Sequence, residues 1–117
     1  MITGLEFLEG WYRAQCNGYW EHANGITIET LDNPGWMVTI DLAETALENH
    51  PMQSLRQERS EKDWIVCTVE GNKFRGQGDS NKLSDILEVF KKWAVTKPLV
   101  APATDGAASK SLEPRRG

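Results

Sequence analysis

Two β-branched runs face each other across a tight turn, and this pairing limits the fold more than any other feature of the chain. Ile26-Thr27-Ile28-Glu29-Thr30-Leu31 alternates roughly, and Trp36, Val38, Ile40 and Leu42 fall on one face of the run that follows. Between them stands Asp32-Asn33-Pro34-Gly35. There proline presets φ at the second position and glycine accepts the positive φ of a type II turn. The pattern predicts an antiparallel hairpin with one apolar face.

The flanks supply elements to cover that face. Leu5, Leu8, Trp11, Tyr12 and Gln15 recur at helical spacing, with Thr3 as N-cap, Glu6 completing a capping box, and Asn17-Gly18 as a stop. A second stripe, Leu83, Ile86, Leu87, Phe90, Trp93 and Ala94, predicts a C-terminal helix. Asp79 or Ser80 can cap that helix, and Lys91 and Lys92 suit the dipole at its end. Residues 43–51 read as a connection or a short helical turn and 53–59 as a weakly patterned third strand. Trp64 to Val69 read as a good strand and Lys73-Phe74-Arg75 as a short partner that Gly76-Gln77-Gly78-Asp79 breaks. The expected fold is α+β: an antiparallel sheet of four to five strands packed against an N-terminal and a C-terminal helix, both on one face. Residues 1–96 are expected to form the domain. Residues 97–117, rich in Pro, Ala, Ser and Gly without periodicity, are expected to be a disordered tail.

The chain has 117 residues, enough to bury a core without metals or disulfides. Cys16 and Cys67 form no CxxC pair; spacing leaves a bridge between them open, and buried free thiols are the preferred reading. No run is long and apolar enough to span a membrane, and the N-terminus lacks the basic start of a secretory signal, so a cytoplasmic location is expected. Net charge is −4, unevenly spread: residues 1–50 carry −7, with Arg13 the one basic residue; residues 51–96 carry +1 and residues 97–117 carry +2. An acidic half repels nucleic acid and attracts basic partners, although simple solubility explains such a surface equally well.

Catalytic signatures are missing. There is no HExxH, phosphate loop, GxGxxG or GxSxG. Gly76-Gln77-Gly78 lacks the lysine of a phosphate loop and reads as a strand-to-helix turn. Glu21, His22, Asp32 and Asp41 could form an acid/base or metal cluster, but neighbours in an extended segment point to opposite faces. Cys16 at a helix C-terminus is poorly placed for activation as a nucleophile. Trp11, Trp36, Trp64 and Trp93 fall on apolar faces and read as core. Trp20 lies outside any stripe and reads either as an exposed anchor for a partner or as a core residue beneath a loop.

The segment WYRAQCNGYWEHANGITIETLDNPGWMVTIDL, residues 11–42, resembles the immunity protein 53 family of bacterial polymorphic toxin systems. The matching pieces are Trp11-Tyr12, Gln15-Cys16, Gly18, Trp20-Glu21-His22, Gly25-Ile26, Thr30 to Trp36 and Ile40-Asp41-Leu42. The GQG turn and the helix with Phe90 and Trp93 also fit, so the resemblance covers residues 5–95. Family members often read CDGDWEH where this chain has Asn17 and Tyr19, which weakens any role of the two acids there. The resemblance implies a cytoplasmic protein that binds and neutralises a cognate toxin domain, without catalysis, cofactor, metal or nucleic acid. A basic, nuclease-type toxin would suit the acidic half. The expected contact residues are Trp20, Glu21, His22, Glu29, Asp32 and Asp41. The competing reading is a small metal-dependent enzyme or ligand-binding domain using Glu21, His22 and Asp32.

Overall fold

A computed structural model of the protein describes residues 1–96. The elements run α1 (Gly4–Gln15), α2 (Trp20–Ala23), β1 (Ile26–Leu31), β2 (Gly35–Asp41), β3 (Leu55–Ser60), β4 (Asp63–Glu70), β5 (Lys73–Gly78) and α3 (Leu83–Ala94). The five strands form one antiparallel sheet in the order β1-β2-β5-β4-β3. This is the expected α+β arrangement. The expected tail, 97–117, lies outside the described residues.

The register sorts every strand residue onto one of two faces, because directly paired residues point the same way. Ile40, Phe74 and Val69 form one row, and Val38, Gly76 and Cys67 the next. These rows face α3, whose Ile86, Leu87, Phe90 and Trp93 are buried against them. α1 packs chiefly on α3 rather than flat on the sheet. Its Gly4 backbone lies so close to α3 that a Cβ there would sit 2.6 Å from the Leu87 carbonyl carbon. Phe90 joins the layers: its ring meets Phe74 of the sheet at 5.2 Å and Trp11 of α1 at 5.3 Å, both nearly edge-on. The opposite face of the sheet carries Met37, Thr39, Val66, Thr68, Arg75 and Gln77. No described helix covers it.

The expected capping box at Thr3 is present, with Glu6 N–H bonding the Thr3 hydroxyl at 3.1 Å and Thr3 N–H bonding the Glu6 carboxylate at 2.9 Å. Several other local expectations are corrected. The β1–β2 connection is not a type II turn: Asn33–Pro34 is cis, and Gly35 begins β2 without positive φ. Gly35 is there for space, since a Cβ would lie 2.3 Å from the Gly78 carbonyl oxygen. β5 does not break at Gly76-Gln77-Gly78 but runs through it. Gly76 and Gly78 vacate the helix-facing side, where a Cβ on Gly76 would meet Ile86 Cγ2 at 2.3 Å. Trp64 is not core on the helix side, because its neighbour Ile65 takes that face. Burial pushes the Cys67 thiol up to about 12, whereas Cys16, expected buried, is exposed at the end of α1; both thiols are free.

Asp79 does not cap α3, whose N-cap is Lys82 without a side-chain bond. The buried Asp79 carboxylate instead accepts from Trp64 N–H (2.8 Å), Asn81 N–H (2.8 Å) and the Lys82 ammonium (2.7 Å). Lys82 also reaches Asp63 at 2.9 Å, so the network ties β4, β5 and α3 together. The Lys82 ammonium first, and then the two backbone N–H groups, lower Asp79 to about 2. The stabilisation is therefore present in full above the ordinary carboxylate pKa and is lost as the pH falls from about 4 through about 2. Asp79→Asn should lower the urea midpoint by a constant amount above pH 5, and the gap to wild type should close towards pH 2. A gap that stays the same down to pH 2 contradicts this role.

Candidate protein-binding surface

The segment after α1 explains the Trp20-Glu21-His22 string. It is not extended: residues 20–23 make one helical turn, α2. Asn17 Oδ1 accepts from the N–H groups of Tyr19 and Trp20, each at 2.9 Å. The Glu21 carboxylate accepts from Asn17 N–H and Gly18 N–H, each at 2.9 Å. Bonds from its own backbone N–H first, then from Asn17 and Gly18, hold Glu21 below the ordinary carboxylate range. Gly18 sits at φ +94°, a value that favours glycine.

Trp20 is not an exposed anchor. It is 3% exposed, packs edge-on against Trp11 at 6.0 Å, and donates its indole N–H to the Ala43 carbonyl at 2.9 Å. The surface aromatic here is Tyr19, which is 83% exposed; Tyr12, 39% exposed, packs its ring against Trp20 at 6.1 Å. Sequence patterning missed Tyr19. Its one signal was the departure from the acidic residue common at that position in similar sequences. His22 is exposed on the same turn.

The hairpin carries the remaining expected contacts. Glu29 projects from the open face of β1, opposite Met37, and Asp32 stands exposed in the β1–β2 loop. Asp41, at the other end of the hairpin, is committed locally: it accepts from Gly25 N–H at 2.8 Å and pairs with Lys73. Trp20, Glu21, His22 and Asp41 therefore gather at one end of the sheet, with Glu29 midway. Asp32 lies a strand length away, about 20 Å for six residues. Glu21, His22 and Asp32 do not converge on one point. Among the described residues, no group of three or more His, Cys, Asp and Glu side chains is placed to hold a metal ion.

Ion pairing sharpens the charge asymmetry. In the second half Glu58 pairs with Arg56, Asp63 with Arg59 and Lys82, Asp79 with Lys82, and Glu88 with Lys91. In the first half only Asp41 has a cation within 4 Å among the described residues. Glu21, Glu29 and Asp32 have no cation partner among the described residues, so their field extends into solvent. No helix among the described residues is long and apolar enough to cross a membrane.

The model of one protein family, described as immunity protein 53, matches residues 5–95. No curated protein and no solved structure matches the chain.

Proposed function

The chain belongs to the immunity protein 53 family, and from that premise we propose that it acts by binding a cognate toxin domain and occluding it, making and breaking no covalent bond. The toxin is a basic protein of a nuclease type, produced beside its inhibitor in a bacterial polymorphic toxin system, and the two meet in the cytoplasm. The observation that carries this reading is that, among the described residues, Asp41 alone of the first-half carboxylates has a cation within 4 Å, whereas Glu58, Asp63, Asp79 and Glu88 of the second half are each paired. An unneutralised acidic surface accelerates encounter with a basic partner and turns away acidic ones.

The contact surface comprises Glu29, Asp32 and His22 together with Tyr19. Trp20 and Glu21 hold the α2 turn that presents them, and Asp41 fixes the end of the hairpin. Tyrosine is enriched at the centres of protein interfaces, and charged residues such as Glu29 and Asp32 suit the polar rim around it. The test is co-expression with the toxin domain encoded by the adjacent reading frame. Cells should grow only when this chain is present, and the two proteins should co-purify. Equal growth without it, or no co-purification, overturns the reading.

A further inference from the structure

The two edges of the sheet are not alike. β3 is blunted: its sequence Leu55–Ser60 is largely charged or polar, Arg56 pairs with Glu58, and the ladder is irregular between Glu58 and Ser60. Such features prevent strand addition. β1, the other edge, has none of them. It runs Ile-Thr-Ile-Glu-Thr-Leu in unbroken register with β2, with no proline, lysine or bulge.

The bond from Asp41 N–H to the Gly25 carbonyl at 3.0 Å sets the phase of the β1–β2 ladder. Antiparallel pairs alternate, so Thr27, Glu29 and Leu31 turn their backbone groups to β2, and Ile26, Ile28 and Thr30 turn theirs outward. Among the described residues, no hydrogen bond from α1 or α3 reaches those outward groups. Alongside this edge lies an apolar groove of about 340 Å³ lined by Thr3, Leu5, Ile28, Leu83, Ser84 and Leu87. Leu5 and Ile28 are 53% and 42% exposed, high for large aliphatic side chains.

We propose that β1 is the docking edge for the toxin: an extended segment of the toxin adds to the sheet as a sixth strand, its apolar side chains entering the groove and its alternate basic side chains meeting Glu29. A strand paired at Ile28 places the side chain opposite Ile28 over Leu5, Leu83 and Leu87. Its flanking residues fall on the open face, where Glu29 stands without a cation. The segment therefore alternates basic and apolar residues. A second copy of this chain fits less well, because it brings two halves of charge −7 together. This inference rests on the toxin-binding reading above and deepens it.

The test measures affinity for the toxin domain of the adjacent reading frame with wild type, Thr30→Pro and Ile28→Lys. Proline at 30 removes an outward N–H and leaves the β2 ladder whole; lysine at 28 sets a charge at the groove. Each variant should bind about 10- to 100-fold more weakly with its unfolding midpoint near wild type. Amide exchange of wild type provides a readout that needs no variant: Ile26, Ile28 and Thr30 should gain protection in the complex. If wild type binds, the variants bind equally well and these amides exchange as in the free chain, the docking edge is wrong and the binding function stands. No binding by wild type overturns both. Sedimentation showing a wild-type dimer that Ile28→Lys dissolves assigns the edge to a second copy and overturns the toxin assignment.

Discussion

Replacing Phe90 by alanine is expected to lower the thermal midpoint by about 12–40 °C. Phe90 is 0% exposed and touches three layers at once: Phe74 in the sheet, Phe7 and Trp11 on α1, and Trp93 on its own helix. Truncating such a ring costs about 3–5 kcal/mol, through lost transfer energy and a cavity that rigid neighbours cannot close. Small domains have only about 5–15 kcal/mol in total, and each kcal/mol moves the midpoint of a domain this size by about 4–8 °C. Val95→Ala, at an exposed position just past α3, should change stability by less than about 0.5 kcal/mol. A drop below 5 °C for Phe90→Ala would mean that α1 and α3 are held to the sheet by something other than this aromatic cluster.

The second large effect concerns binding. Glu29→Lys combined with Asp32→Lys should slow association with the toxin domain by about 10- to 100-fold at low salt. The deficit should shrink at high salt, where the screening length falls to about 3 Å. Both residues are exposed and lack a cation partner among the described residues, so the folded state should lose little stability. Glu21 makes a poorer probe, because reversing it also removes two bonds to the backbone of Asn17 and Gly18. Unchanged association in the double variant would remove the hairpin acids from the interface.

The hairpin, α1 and α3 could be read from the sequence because their apolar spacing matches the period of the element. The end of β5 could not. Gly76 and Gly78 look like a break in a linear string, yet they sit in the strand because α3 crosses there at short range. That fact exists only in three dimensions. Trp64 was misplaced for a related reason: alternation fixes two faces, and a tryptophan beside Ile65 does not say which faces the helices. The charge of the first half was legible, but its division into free and committed carboxylates was not. Asp32 and Asp41 look alike as letters; Asp32 is exposed without a cation partner among the described residues, whereas Asp41 accepts from Gly25 N–H and pairs with Lys73. Trp20 was open between surface and core, and the α2 turn that buries it arises from Asn17 and Glu21 side chains closing on the backbone.

The most direct test of neutralisation by occlusion is the stoichiometry of inhibition. Purified chain is titrated into the toxin domain of the adjacent reading frame, and residual toxin activity is read at each ratio. Activity should fall linearly to zero at one chain per toxin, and toxin recovered after the complex is dissociated should be fully active and unchanged in mass. Inactivation of many toxin molecules by one chain, or a toxin left covalently altered, would contradict the account.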